Sequence, residues 1–400
     1  MFILTTKIKS VRSEQITVYN QEDNVIGSLR WAILLAANSR NPTSIIVSPS
    51  IPLIKLNSPL IYKSVSPLAI TVMGNTFIDA AKDTFISVEN CINFNLMNIR
   101  TNGAINYSGG DIQSVKVINL TNCSVFYTRH SGLFIRDSRV NDLIVNLNNV
   151  LFYMNKMRGI SILKSRGNLI CNMNLVGVMF NGAIGNSDNT QLCQTGEGDV
   201  RVNIQNYYSI GANEDSLEVE ESDAGGIFGF FTNVFSFVPG EEGIEVSERG
   251  DGEVVVYLNN VHNLGFNPLD EDRNDGIEIR ARDKGDLFAK FTNCSSSYAR
   301  MDGVRIIPDE NAQATAIFDN CIISNNQDDG IDFDSSMITK HTGKSTLIVR
   351  NSRIFNNFNN GIKAVSPPPN TGLLRLEKTR IYDNGDNIDL EGTKWRKVRL

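Results

Sequence analysis

The chain has 400 residues, of which 41% are hydrophobic and 20% charged, and its formal net charge is −6. This composition is typical of a protein that folds around an apolar core, and no stretch approaches the roughly 20 apolar residues that a membrane-spanning helix needs. The acidic balance argues against binding to the phosphate backbone of nucleic acids, which requires a basic face.

The first predicted element is a short helix near the N-terminus, in VIGSLRWAILLAANSRNP. Ser28 is a residue type that caps helices, and the stretch from Asn38 to Pro42 ends the pattern. One face of the helix is apolar and consists of Leu29, Ala32, Ile33 and Ala36. We expect a helix at about 28–38 that covers one end of the core, because open strands would otherwise pair with another chain.

Further along, the chain repeats itself with a basic period of about 27 residues. A step of apolar residue, any residue and Asn recurs, and about ten residues later a Gly precedes an alternating apolar run. The Asn positions are Asn122, Asn149, Asn172, Asn206, Asn233, Asn260, Asn293, Asn320 and Asn351. The later positions are Gly132, Gly159, Gly182, Gly243, Gly303, Gly330 and Gly361, with Ser216 in one coil. Alternation of apolar and polar residues within each repeat indicates short strands and not helices.

These repeats predict an all-β fold, a single right-handed parallel β-helix of about ten or more coils with an N-terminal capping helix. We divide the chain into a cap with the first coils (1–80), the β-helix (81–390) and a C-terminal tail or cap (391–400), in which Trp395 covers the end. The recurring Gly permits a tight bend, and the recurring Asn stacks on its equivalents while its amide bonds the backbone of the turn. Both are predicted to be architectural.

The six cysteines are predicted to be thiols. They are Cys91, Cys123, Cys171, Cys193, Cys294 and Cys321. No CxxC pair is present and no histidine lies at metal-ligand spacing, so a zinc site is not predicted. Three of them follow an Asn at the same place in the repeat, which favours a column of buried thiols over disulfides.

An outward column of mostly charged residues follows from the strand register. In the run GIEI, Ile277 and Ile279 face the core, so that Glu278 faces outward, to solvent. The same register in the other coils gives the column Glu218, Glu245, Glu278, Arg305, Asp332, Lys363 and Asp389. Equivalent residues of stacked coils lie about 4.8 Å apart.

Three stacked glutamates in this column are the candidate catalytic residues: Glu218, Glu245 and Glu278. Their mutual repulsion should raise at least one pKa or recruit a cation. Carboxyl groups about 5 Å apart suit a retaining attack on a glycosidic bond, and a separation of about 6.5 to 9.5 Å suits an inverting one.

The candidate substrate-binding residues are Arg280, Arg305 and Asp332, and the two arginines suit the carboxylate of a uronate sugar. Insertions near 183–200, 265–275 and 335–345 are expected to wall a groove over the column.

A metal site is the other chemistry considered for this region. The insertion FNPLDEDRND carries the candidate Ca²⁺ ligands Asp270, Asp272 and Asp275. Their spacing reproduces neither the EF-hand nor the nonapeptide calcium repeat, so a solvated acidic loop is the alternative.

The string GSLRWAILLAAN, followed by SIIVSP, IPLIKL and ITVMGN, resembles the "SLR-x-AI-x-x-AN" segment that precedes β-helices in bacterial surface and secreted proteins of the pectin-lyase-like superfamily. The resemblance covers roughly residues 10–80, and the coil pattern covers the remainder to about 390. It implies the β-helix fold. For function it implies a choice between polysaccharide lyases, hydrolases and epimerases on one side and tailspikes and adhesins without catalysis on the other.

Two enzyme motifs of that superfamily are incomplete here. Asp328 and Asp329 in QDDGIDF resemble the paired aspartates of polygalacturonases, but none of the three histidines lies in a Gly-His-Gly. GFNPLDED is similar to a motif of alginate epimerases, with Asn267 and Leu269 in place of its aspartate and histidine. Neither activity is therefore favoured by its motif.

Our leading hypothesis is a surface or secreted protein that engages polysaccharide along its acidic face, as a polysaccharide lyase or a glycoside hydrolase. The alternative is a non-catalytic adhesin, spike or scaffold whose acidic column is solvated surface, and a homo-oligomer is left open. The opening MFILTTKIKS has too short an apolar run for a secretory signal. An extracellular location therefore implies a leader removed from this sequence, and a cytoplasmic location is the alternative.

Overall fold

The alternating runs form strands that stack coil upon coil as a parallel β-helix. The computed structural model describes residues 13–109, 115–139, 141–182, 187–265, 274–282, 285–308, 313–334, 344–366, 371–392 and 395–399. In these ranges the strands form two sheets, one of 22 strands and one of 13 strands. Neighbouring strands are parallel, as in Glu245↔Glu278 and Asn146↔Asn172, so each coil pairs its backbone with the coils on both sides.

The two sheets divide every coil between them. The 22-stranded sheet consists of β1 Glu14–Val18, β2 Thr43–Val47, β3 Leu53–Lys55, β5 Leu68–Val72, β6 Phe77–Asp79, β8 Asn93–Met97, β9 Arg100–Thr101, β11 Lys116–Phe126, β13 Leu143–Tyr153, β15 Leu169–Met179, β17 Val200–Ile210, β19 Ile227–Phe237, β21 Val254–Leu264, β23 Leu287–Thr292, β24 Ser295–Ser297, β26 Ala314–Asp319, β27 Ile322–Ser324, β29 Lys344–Arg350, β30 Arg353–Phe355, β32 Thr371–Glu377, β33 Arg380–Tyr382 and β35 Trp395–Arg399. The 13-stranded sheet consists of β4 Leu60–Lys63, β7 Thr84–Glu89, β10 Ala104–Ser108, β12 Leu133–Asp137, β14 Ile160–Lys164, β16 Thr190–Thr195, β18 Glu218–Ser222, β20 Ile244–Glu248, β22 Ile277–Ala281, β25 Val304–Pro308, β28 Ile331–Asp334, β31 Asn360–Ser366 and β34 Asp386–Gly392. The predicted fold class is confirmed.

The core fills the interior of the coils, as the alternation predicts. Ile277 and Ile279 are both 0% exposed. Equivalent core side chains of neighbouring coils stack on one another, as Phe291 and Phe318 do with ring centroids 4.4 Å apart. Burial of apolar surface along the whole solenoid is therefore the main stabilising term.

The predicted helix is present as α1, Leu29–Asn38. The Ser28 hydroxyl accepts a hydrogen bond from the Trp31 backbone N–H at 3.2 Å, which caps the first turn. The buried residues of α1 are Leu29, Ala32, Ile33 and Ala36, the face that the sequence indicates. The helix packs against β1, β2 and β4 and covers the core at the N-terminal end. No helix in the described ranges is long and apolar enough to cross a membrane.

The first and last coils join the same two sheets. Strands between residues 43 and 79 pair with later coils, so strand pairing continues across residue 80. The division of the chain at residues 80 and 390 remains a prediction. At the other end Trp395 begins β35, where it is partly buried against the core, with its ring 6.3 Å from that of Phe333.

The recurring Asn lies at a bend in the 22-stranded sheet where the backbone takes a left-handed conformation, as at Asn149 with φ 53° and Asn233 with φ 54°. Asn and Gly tolerate this conformation best. The side chains form a ladder in which most amides donate to the side-chain oxygen of an Asn in the preceding coil, at 2.9 Å from Asn149 to Asn122 and 2.8 Å from Asn260 to Asn233. The predicted stacking is present, although the amides bond one another more often than the backbone.

One member of the predicted Asn column is wrong. Asn172 lies within β15 and pairs with Asn146, whereas the bend falls at Leu175, whose φ is 55°. Asn174, one residue before this bend, provides the side-chain hydrogen bonds in this coil. Its amide donates to Asn148, and its oxygen accepts from Asn206. The sequence misleads here because leucine is an unfavourable residue for a left-handed bend.

Leu175→Asn is expected to stabilise the protein by about 1 kcal/mol, because Asn adopts the left-handed conformation at lower cost. Leu175 is 51% exposed, so little apolar burial is lost. Urea unfolding followed by circular dichroism measures the change. The matched control is Asn149→Leu in the neighbouring coil, which should lower the free energy of unfolding. A Leu175→Asn variant no more stable than the parent would show that the bend is not strained.

The recurring Gly lies where neighbouring coils approach closely. A Cβ on Gly330 would lie 2.6 Å from the backbone oxygen of Gly361, so a side chain does not fit. The prediction of Gly182 in this column is wrong, because Gly159 is followed in the register by Asn189 and then by Ser216. The additional residues of this coil therefore precede Asn189 in the sequence.

A charged group lies inside the solenoid, where sequence alternation predicts apolar residues. Asp137 accepts hydrogen bonds from Nζ of Lys116 at 2.8 Å and Nζ of Lys164 at 3.1 Å, and all three side chains are 0% exposed. Buried charges persist only when they are paired and hydrogen-bonded. Asp137 therefore holds two lysines that would otherwise be buried without an opposite charge.

All six cysteines are free thiols, as predicted, and five of them are buried. Burial raises the pKa of Cys171 to about 12, so that this thiol is neutral and unreactive at physiological pH.

Candidate functional site

The predicted charged column lies on the outer face of the 13-stranded sheet. The strand pairing has the register that the sequence predicts. Each column residue pairs with its equivalent in the next coil, in the order Glu218, Glu245, Glu278, Arg305, Asp332, Lys363 and Asp389. The three candidate catalytic glutamates are therefore brought together on three adjacent rungs, and Arg305 and Asp332 follow on the next two. Arg280 lies on β22, two residues after Glu278.

A second acidic column, which the sequence analysis missed, lies three residues before the first in each coil. Its members are Asp188, Asp215, Glu242, Asp275, Asp302 and Asp329. Several of these carboxyl groups accept a hydrogen bond from the backbone N–H of the equivalent residue in the following coil. The Asp302 N–H donates to Asp275 at 2.9 Å, and the Asp329 N–H donates to Asp302 at 2.9 Å. The repeated letters DG in DGIEI, DGVRI and DGIDF are the visible signal of this column.

We call the part of the two columns up to Asp332 the acidic site, which leaves out Lys363 and Asp389 on the following rungs. Its members are Asp188, Asp215, Glu218, Glu242, Glu245, Asp275, Glu278, Asp302, Arg305, Asp329 and Asp332. Most of its carboxyl groups are shielded from water, with Asp275 3% and Asp332 4% exposed. Glu278 faces away from the core as predicted, but it is only 8% exposed, so the expectation of a solvent-facing side chain is wrong. Glu242 and Arg305, on the two neighbouring coils, lie beside its carboxyl group.

Arg305 lies among three carboxylates. Its Nη1 is 3.5 Å from Asp275 Oδ2 and 3.9 Å from Glu278 Oε2, and its Nε is 3.9 Å from Asp332 Oδ2. Nη1 of Arg280 lies 4.0 Å from the other oxygen of Glu278. Two guanidinium groups therefore lie within 4.0 Å of the Glu278 carboxyl group.

Burial keeps several other carboxyls protonated at neutral pH, because removal from water disfavours the charged form. It raises the pKa of Glu242 to about 8 and, together with the charge of Asp188, that of Glu218 to about 8. Burial and the charge of Asp275 raise the pKa of Asp302 to about 9. The pKa of Glu245 is also raised, first by burial and then by Glu278.

Carboxyl groups of the two columns approach one another. Oxygens of Glu242, Asp275 and Glu278 lie within 4.8 Å of one another. Such a group places Glu242, whose pKa is raised to about 8, beside Glu278, which two guanidinium groups approach, and paired carboxyl groups are used for acid and base chemistry at a glycosidic bond. The same oxygens would also suit a hard cation.

The predicted metal site is divided by the limits of the described chain. Asp270 and Asp272 lie outside the described residues, as do Asn267 and Leu269, whereas Asp275 belongs to the acidic site. The pair Asp328 and Asp329 lies near Asp302, with oxygens of the three within 4.8 Å. The insertions at 266–273 and 335–343 lie outside the described residues, so the predicted groove walls there stay a prediction.

Residues 242–398 match the family model described as "Right handed beta helix region". No curated protein sequence matches the chain.

Several solved structures are similar in fold. The A-module of a mannuronan C-5 epimerase from Azotobacter vinelandii is 11% identical, with a TM-score of 0.37 and coverage of 93% of this chain and 92% of that one. PfbA, a surface adhesin of Streptococcus pneumoniae, is 11% identical, with a TM-score of 0.41 and coverage of 96% and 92%. The catalytic domain of a GH87 alpha-1,3-glucanase is 10% identical, with a TM-score of 0.34 and coverage of 97% and 68%.

Proposed function

Because this chain is a right-handed parallel β-helix protein, we propose that its acidic site binds and hydrolyses a polysaccharide laid along the solenoid axis, at the cell surface or outside the cell. The observation that carries the proposal is the pairing of Glu242 and Glu278. Their oxygens lie within 4.8 Å in a site shielded from water, where one carboxyl retains its proton and the other is balanced by two arginines.

In this proposal Glu242 is the general acid and Glu278 the nucleophile. The neutral Glu242 donates its proton to the leaving glycosidic oxygen, and ionised Glu278 attacks the anomeric carbon. The glycosyl ester that forms is then hydrolysed by water with Glu242 acting as base. The short separation of the two groups supports a retaining mechanism. Glu218 and Glu245, the other glutamates of the column, lie along the neighbouring rungs and are assigned to sugar hydroxyls.

Hydrolysis is favoured over elimination by the position of Arg305. A lyase needs a cation to neutralise the uronate carboxylate next to the abstracted proton. Arg305 is surrounded by Asp275, Glu278 and Asp332 at 3.5 to 3.9 Å, so its charge is already balanced within the protein. The same contacts argue against the role that the sequence analysis gave it with a uronate.

A reducing-end assay of the protein against a panel of glycans tests this function. Activity should be present below pH 8 and fall about tenfold per pH unit above it, because Glu242 loses the proton it must donate as the pH passes the pKa of about 8. Absorbance of an unsaturated product would indicate a lyase instead. Absence of activity on all of the glycans tested would support the non-catalytic alternative, an adhesin or scaffold.

A further inference from the structure

The acidic site also indicates the charge of the sugar it binds, and this inference rests on the proposed function. Along the two columns carboxyl groups outnumber the two cations, Arg305 and Lys363, which lie on either side of Asp332 in the register. Arg305 contacts three carboxylates, and Nε of Arg158 lies 2.9 Å from Asp188 Oδ2. A polyuronate would add negative charge to a site in which burial already disfavours ionised carboxyl groups, as the raised pKa of Glu242 and Asp302 indicates.

A second observation, independent of the number of acids, points to a hydrogen-bond donor as the ligand. Oδ1 of Asp332 is buried and accepts no hydrogen bond from any described residue, although Asp332 is 4% exposed. The hydroxyl of Ser247, between Glu220 and Arg280 in the register, is likewise buried without a described partner. A buried carboxylate oxygen is costly unless a donor reaches it, and an ammonium group offers three.

The geometry of the columns suits a repeating ligand. Successive carboxyl groups lie one strand spacing apart, about 4.8 Å, which is comparable to the length of one pyranose unit. A polymer lying along the axis would therefore place each substituent next to the carboxyl group of a new rung.

We propose that the acidic site recognises a glycan that carries ammonium groups, a polymer of unacetylated amino sugars, in preference to a polyuronate or a neutral chain. Oδ1 of Asp332 accepts from one ammonium group, and carboxyls of neighbouring rungs accept from the next. Burial raises the pKa of Asp332 to about 7, so an arriving ammonium group ionises it and binding releases a proton.

Titration calorimetry at pH 6.5 with three tetrasaccharides tests the proposal: a glucosamine tetramer, its fully N-acetylated form and a galacturonate tetramer. We expect the glucosamine tetramer to bind at least tenfold more tightly than either, with a binding enthalpy that depends on the buffer because protons are released. Asp332→Asn should weaken its binding about tenfold. Asp319→Asn, which makes the same change on the 22-stranded sheet, should leave it unchanged.

Equal or tighter binding of the galacturonate tetramer, with or without Ca²⁺, would overturn the proposal, as would equal binding of the N-acetylated tetramer. The outcome is separate from that of the proposed hydrolysis. Cleavage of neutral glycans with no preference for ammonium groups would leave the hydrolase and remove this inference. Preferential binding of the glucosamine tetramer without cleavage of any glycan would support this inference and contradict the proposed hydrolysis.

Discussion

Glu278→Gln is expected to reduce glycan cleavage on the order of 10³-fold, because the amide removes the carboxylate that attacks the anomeric carbon. The substitution preserves the shape of a side chain that is 8% exposed, so the packing around it is retained. The change in kcat, measured by release of reducing ends from the glycan that the wild-type protein cleaves, checks the prediction.

The matched control is Asp389→Asn, which makes the same change of charge at the same strand position four rungs away. This variant should keep full activity. If Glu278→Gln retained more than about a tenth of the activity while thermal unfolding stayed normal, Glu278 would not be the nucleophile, and the assignment would pass to Glu245 on the neighbouring rung.

Asp137→Asn is expected to lower the free energy of unfolding by about 3 to 5 kcal/mol, the cost of leaving a buried charge without its partner. The asparagine would leave Lys116 and Lys164 inside the solenoid with no carboxylate between them, although both are fully buried. Urea unfolding at pH 7 measures the loss. Asp319→Asn, which breaks a partly exposed ion pair with Arg350, should cost no more than about 1 kcal/mol.

A rescue experiment separates the charge from the shape of the Asp137 side chain. The triple variant Lys116→Met, Asp137→Leu, Lys164→Met removes all three charges and is expected to recover most of the lost stability, as apolar replacements of buried ion groups do. A triple variant as unstable as Asp137→Asn would show that the group is retained for packing that only its own side chains provide.

The register of the charged column could be predicted from the sequence because two periodicities fix it. Alternation places Glu278 on the face of the strand opposite to that of Ile277 and Ile279. The 27-residue repeat aligns Glu278 with Arg305 on the next rung. Its near-burial could not be predicted in this way. Coverage by side chains of other coils depends on how far they extend from the sheet, and alternation gives only the direction in which a side chain leaves the backbone.

Glu242 was missed as a member of the site, and Asp275 was predicted as a metal ligand and not as a neighbour of the glutamates. Both residues lie just before the strands, where alternation assigns no face. The bend at Leu175 was misplaced for a different reason. Residue preference locates a left-handed bend only where Asn or Gly occupies it. In that coil an Asn that fits the repeat pattern, Asn172, lies three residues before the bend, which is occupied by Leu175. The charged group around Asp137 also contradicts the pattern, since its residues occupy inward positions.

The acidic columns and the apolar interior share one period, and this has a consequence for how such a protein changes over time. An in-frame duplication of 27 residues, such as 276–302, would add a complete layer whose backbone, interior and carboxyl groups all meet matching partners above and below. Copy number would then set how many sugar units are held at once. Selectivity for chain length could evolve by gain or loss of whole layers, with the reacting pair left untouched.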